Sequence, residues 1–240
     1  MACRDLGLGP GRKIVLISPS GKCYCTCFNL GGGSHLDSSV VATANWVMTP
    51  IGMVQQGVTK VLAADTSLHF MEYVAQYAEV YKPPTTSNTV QLIYVAGGAP
   101  RAVVALGSAP YLLHGSRSLC RADRLKTSDK LIDVNGLPVA LLSLQSGTCT
   151  GPTAGIATKL ELPGPTFKGH LLLMDYVIAG DGAVEMSNMT VHDDRPVVGS
   201  RQWLEDNPPA AVANQPVRLS NGFFYPAGFF KVDVPEGASD

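Results

Sequence analysis

Charge is scarce in this chain. Only 15% of its 240 residues are Asp, Glu, Lys or Arg, and 18 basic against 19 acidic residues leave a net charge of −1. The Lys and Arg residues are spread along the sequence, so no basic stripe marks a nucleic-acid surface. Also missing is any apolar run of the ~20 residues needed to cross a bilayer as a helix. The first residues, MACRDLGLGPGRK, hold no hydrophobic stretch, so no signal peptide is expected there. No GK[ST] follows Gly97-Gly98, which makes that pair a turn and not a phosphate loop. No GxSxG elbow is present. His35, Asp37 and Ser38 lie too close in sequence to build a hydrolase triad by themselves. His69, His114, His170 and His192 lack metal-ligand spacing. No metal and no cofactor is therefore expected.

What the chain does have is apolar residues, 45% of the total, in many short runs punctuated by 25 glycines and 17 prolines. That pattern predicts an all-β globular protein. KIVLIS (13–18) and KCYCTCF (22–28) predict an N-terminal β-hairpin around Pro19-Ser20-Gly21. SSVVATANWVM (38–48) reads as one strand and VTKVLAAD (58–65) as another. SLHFMEYVAQYAEVY (67–81) fits a helix or a bent strand equally. Hairpins are expected at 89–107, around Gly97-Gly98-Ala99-Pro100, and at 130–145, where Asn135-Gly136 suits a type I′ turn. GHLLLMDYVIAG (169–180) is expected to bend through two strands. From 183 the composition changes to an extended arm with short ordered pieces. The expected organisation is a hairpin segment at 1–30, a compact β domain at 31–182 and a C-terminal arm at 183–240.

Six cysteines (3, 23, 25, 27, 120 and 149) do not form a secreted disulfide framework, and the core-rich composition has no need of one. On a strand Cys23, Cys25 and Cys27 share a face, with roughly 6.6 Å between successive Cα atoms. Sulfurs in such a row do not converge as a tetrahedral zinc site requires. They are also badly placed for a disulfide with one another. A small apolar face on the core is the expected role.

The order of the pieces resembles the hedgehog/intein autoprocessing family, the Hint domains. Gly32-Gly33-Ser34-His35 to Val41 is similar to the family's opening block, Gly-Gly-Cys-Phe-Pro-Gly-Ser-x-x-Val. Met48-Thr49-Pro50-Ile51 to Val61-Leu62-Ala63-Ala64-Asp65 resembles the block ending Gly-Asp-x-Val-Leu-Ala-x-Asp. Arg121-Ala122-Asp123-Arg124-Leu125 to Asp129-Lys130-Leu131 follows RA-x-x-L-x-x-G-D-x-L, with Ser128 in place of the glycine. Asp175-Tyr176-Val177-Ile178-Ala179 looks like the closing VDGVVAS of hedgehog-type members. The resemblance spans roughly residues 31–182. It implies a compact Hint-like β fold and a degenerate, hedgehog-type member.

The resemblance also implies a reaction. In the family, the first residue attacks the carbonyl before it in an N-to-S or N-to-O acyl shift. The matching nucleophile is Ser34, and Gly33 is the junction residue before it. The family's base comes from a Thr-x-x-His block, and here Gly107 stands for the threonine and Pro110 for the histidine. Proline carries no exchangeable proton. The closing His-Asn of inteins is replaced by Gly180-Asp181. Three departures at three functional positions point to a fold that has lost self-cleavage and serves as a structural or interaction module. Two alternatives stand beside it: a self-cleaving domain using Ser34, natural or engineered, and an unrelated all-β assembly or capsid protein. The interaction residues would be Phe223, Phe224, Tyr225, Phe229 and Phe230, aromatics that either fold back on the domain or anchor a protein partner.

Overall fold

The computed structural model describes residues 14–17, 23–26, 35–36, 38–81, 87–149, 152–161, 163–187, 190–207, 217–218 and 224–225. The chain opens with β1 (Ile14–Ile17) and β2 (Cys23–Thr26), then β3 (His35–Leu36), β4 (Val40–Ala42), β5 (Met48–Pro50), β6 (Lys60–Ala64), β7 (Met71–Val74) and β8 (Tyr77–Tyr81). It continues with β9 (Ser87–Ala96), β10 (Ala99–Leu106), β11 (Pro110–Leu112), β12 (Leu119–Arg121), β13 (Lys130–Ile132) and β14 (Pro138–Cys149). The last elements are β15 (Thr153–Ala157), β16 (Leu171–Met174), β17 (Val177–Gly180), α1 (Gly182–Met186), α2 (Arg201–Asp206), β18 (Val217–Arg218) and β19 (Phe224–Tyr225). The fold is mostly β, as the composition predicts, with two short helices near the end.

Two sheets carry the body. The first runs β13–β14–β9–β10–β3–β15–β8. The second runs β12–β11–β17–β16–β4–β5, with β6 added to β16 and β7 to β6. Leu92, Tyr94 and Val103 of the first sheet pack with Val41, Val61, Leu172 and Val177 of the second in one core. The opposite face of the second sheet buries Ala42, Leu62, Leu171, Leu173 and Ile178 in another. A sheet buried on both faces needs apolar residues at successive positions, not alternating ones. This explains the unbroken run Leu171-Leu172-Leu173-Met174 and its partner Val177-Ile178-Ala179, which bend through two strands as expected.

The turns hold both agreements and corrections. Gly97 and Gly98, at φ 60° and 75°, join β9 to β10 in the expected hairpin. Segment 67–81 resolves as two strands and not as a helix. The single strand expected at 38–48 is instead a β4–β5 hairpin, turned at Asn45 (φ 59°) and Trp46 (φ 63°). Asparagine tolerates the left-handed region. Thr43 closes the loop, its hydroxyl donating to the Val47 carbonyl at 2.9 Å. The β13–β14 hairpin forms, but Asn135 does not take the positive φ that a type I′ turn requires. Asp133 makes the turn: its carboxyl accepts from the backbone N–H of Asn135 and Leu137, and only Gly136 is left-handed (φ 80°). That is a type I turn with a glycine bulge.

β1 and β2 pair antiparallel, Ile14 opposite Thr26, as the hairpin expectation had it. The side chains of Cys23 and Cys25, and all of Cys27, lie outside the described residues. Beyond 183, residues placed by sequence in an arm pack on the body. Val191 bridges Cys120, Arg195 holds Asp129 at 2.7 Å, and Trp203 is 2% exposed with its indole N–H on the Leu125 carbonyl at 2.8 Å. Asn207 accepts from Thr127 at 3.0 Å. Ser200 caps α2 by accepting from the Trp203 N–H. The sequence hid this because one tryptophan and a few polar ties, not a periodic apolar stripe, attach the segment. Trp203→Ala is expected to lower unfolding stability by about 3–5 kcal/mol, the cost of emptying a buried aromatic site. Urea denaturation checks this, and an unchanged midpoint would mean that 190–207 is detached in solution.

Candidate functional site

The junction of the two sheets forms the candidate site. β3 brings His35 into the first sheet through pairing with Ala105 of β10 and Ala154 of β15. The His35 side chain is buried and reaches across to Tyr111 of β11 in the second sheet, with Nε2 3.0 Å from the hydroxyl and the rings edge to face. A small cleft beside it is lined by His35, Ile51, Ala154, Ile156, Gly180 and Asp181, among others. Burial alone pushes the His35 pKa down to about 3, so the imidazole is neutral across the physiological range. Burial, with help from the charge on Asp175, raises the Tyr111 hydroxyl well above its ordinary value.

Asp181 closes the other side of the cleft. It follows β17 directly and caps α1, its Oδ1 accepting from the N–H of Ala183 and Val184. Its Oδ2 accepts from the Thr158 N–H at 3.0 Å and stands 3.3 Å from the Thr158 hydroxyl. His170 Nδ1 lies 3.2 Å from both carboxyl oxygens. His170, which lacks metal-ligand spacing in the sequence, is a satisfied core histidine here. The structure pairs it with Asp181 in full burial. The missed signal was local: an Asp directly before Gly182-Ala183-Val184-Glu185 is an N-cap pattern.

Pro110 opens β11 and is buried. Its Cγ lies 2.9 Å from where a Cβ would stand on Gly180, and Val184 Cγ1 lies at 2.7 Å. The position matched to the family's histidine is thus packed with apolar atoms, and Gly180 fits only because it has no side chain. Gly107 sits in the turn before β11, where a Cβ would come within 3.0 Å of Asp123 Oδ2. A threonine there would crowd the Asp123 carboxyl, which Arg121 already clamps at 2.6 and 3.0 Å. Structure thus brings His35, Tyr111, Pro110, Gly180 and Asp181 to one place. Gly33 and Ser34, immediately before His35, lie outside the described residues.

The remaining candidates lie elsewhere. Phe224 and Tyr225 form β19, paired with β18, and β18 runs beside β10. Phe223, Phe229 and Phe230 fall outside the described residues. Cys120 is a buried free thiol whose pKa burial pushes up to about 12, which keeps it protonated and unreactive. Among the described residues, no group of three or more His, Cys, Asp or Glu side chains could hold a metal ion. No helix among them is long and apolar enough to cross a membrane.

No protein-family profile matches the chain, and no curated protein matches it in sequence. Solved structures do. A bacterial intein-like domain from Clostridium thermocellum superposes with a TM-score of 0.50 at 14% identity, covering 62% of this chain and 99% of that domain. A DnaB intein from Synechocystis gives a TM-score of 0.47 at 11% identity, over 62% of this chain and 99% of the intein. The first of these likenesses shows an intein-like, or Hint-like, fold. It does not distinguish a hedgehog-type branch from the others.

The neutral His35 has a measurable consequence. Its pKa is about 3 in the folded chain against 6.5 ordinarily, so between those values the unfolded chain binds the extra proton. Its contribution to stability is complete above pH 6.5 and falls as pH drops through that window, by roughly 1 kcal/mol per pH unit. Urea denaturation at pH 7 and pH 5 is expected to show this loss in the native chain and a smaller one in His35→Gln. Equal slopes would contradict the burial of a neutral imidazole.

Proposed function

We propose that this chain is a catalytically inactive Hint-like domain that serves as a structural or interaction subunit of a larger assembly. One observation carries the proposal. The position matched to the family's proton-transferring histidine is Pro110, packed against Gly180 and Val184 with no titratable atom of its own. The imidazole that follows the junction in sequence, His35, is neutral and tied to Tyr111. A serine nucleophile at Ser34 would need a base, because its hydroxyl is far too weak an acid to ionise alone at neutral pH. The closing end argues the same way, since Asp181 is committed to capping α1 and binding Thr158. The hedgehog-type assignment rests on the closing motif Asp175 to Ala179, followed by Gly180-Asp181 where inteins carry His-Asn. The protein partner would be met through the aromatic C-terminal segment.

Intact mass of the purified chain, before and after hydroxylamine, tests the reading. The full 25.3 kDa chain is expected to survive unchanged. Ser34→Cys alone is expected to leave it whole, because the base is missing as well as the thiol. A fragment beginning at Ser34 in the native chain would restore the self-cleaving alternative.

A further inference from the structure

We propose that the outer face of the first sheet is a docking surface for this chain's own C-terminal strand pair, β18–β19, which lies on it as a removable third layer. The proposal deepens the reading of the C-terminal segment as the part that meets a partner. It rests on that reading only for the competition described below.

The burial pattern carries the inference. Alternate residues of β9 and β10 face opposite ways. Leu92, Tyr94, Val103 and Ala105 belong to the core between the sheets. Their neighbours therefore face outward, and the register sets them in two rows across three strands: Gln145–Gln91–Val104 and Ser143–Ile93–Ala102. The outer face of an antiparallel sheet commonly meets water. Here all six residues are buried, with Ile93 3% and Ala102 1% exposed. The next row ends the effect, since Val95, opposite Pro100, is 44% exposed. A cover thus lies over two rows and stops before the third.

Topology points to the cover. Ile93 and Ala102 form a buried apolar pair separate from both cores, and among the described residues no other apolar side chain joins it. β10 gives one edge to β9 along its length and the other to β3 at Ala105. β18 runs beside β10 without pairing to it. A second neighbour outside the sheet, the turn 122–124, is accounted for elsewhere: Ala122 belongs to the inner core, and the Asp123 N–H donates to the Gly107 carbonyl past the end of β10. A strand pair as short as Val217–Arg218 with Phe224–Tyr225 does not hold in water without a surface to pack on. The outer face offers that surface. None of its six side chains is charged, so covering it strips no charge of water. Docking then competes with partner binding. A partner that takes β18–β19 must lift the pair from Ile93 and Ala102, and it uncovers an apolar patch as it does so.

A site for a specific protease, inserted between Ala210 and Ala211 of the full chain, tests docking. After cutting, the C-terminal fragment is expected to co-elute with the body in gel filtration and to separate from it in urea. Excess synthetic peptide of residues 211–240 is expected to exchange with the fragment. Val217→Pro, which leaves the body's own residues unchanged, and Ala102→Arg, on the face, are each expected to release it. Val95→Arg, one row beyond the cover, is expected to retain it. Fragments that part in native buffer after cutting, or that stay together in both release variants, would overturn the proposal. Neither result bears on self-cleavage, which the intact mass of the uncut chain reads separately.

Discussion

Polar atoms trapped between two packed sheets have lost their water and must find partners across the gap, or each costs about 1–3 kcal/mol. Among the described residues, side-chain partnerships of this kind join one sheet to the other. His35 of the first sheet meets Tyr111 of the second. The Tyr94 hydroxyl on β9 donates to the Asp175 carbonyl in the β16–β17 turn at 2.8 Å. Thr158, just past β15, donates to Asp181 at the end of β17. These ties fix how the sheets lie against each other, because an apolar interface alone tolerates sliding, whereas a buried hydrogen bond does not.

The same ties bear on the site's chemistry. A group that transfers a proton needs an accessible atom and a pKa near neutrality. Burial takes His35 far below that range and Tyr111 far above it. Asp181 spends its acceptors on α1, Thr158 and His170. The β16–β17 turn shows how closely the body is held. Asp175 and Tyr176 both take positive φ, 50° and 72°, without glycine. Arg101 stacks on the Tyr176 ring at 3.6 Å, and Val40 donates to the Asp175 carboxyl at 2.9 Å. The side chains at this junction of the two sheets are occupied with one another.

Much of the body was legible in the residues. Glycine turns and short apolar runs located the β9–β10 and β13–β14 hairpins, and the order of the blocks pointed to the intein-like fold. Four features were not legible. The β4–β5 hairpin turns on Asn45-Trp46, a pair with no glycine or proline to mark it. Asp133, and not the Asn-Gly pair alone, sets the β13–β14 turn. The His35–Tyr111 pair joins residues 76 positions apart with no local signal, and the N-cap pattern that marks Asp181 does not point to its partner His170, 11 positions earlier. Attachment of 190–207 rests on Trp203 entering a core built by distant strands.

The account turns on whether the imidazole beside the junction can carry a proton. Its protonation is read directly by following the His35 ring signals by NMR from pH 8 down to pH 4.5. The account predicts a neutral ring held as one tautomer by Tyr111 over the whole range. A His35 that titrates near its ordinary value of 6.5 would contradict it, by placing an accessible base next to Ser34 after all.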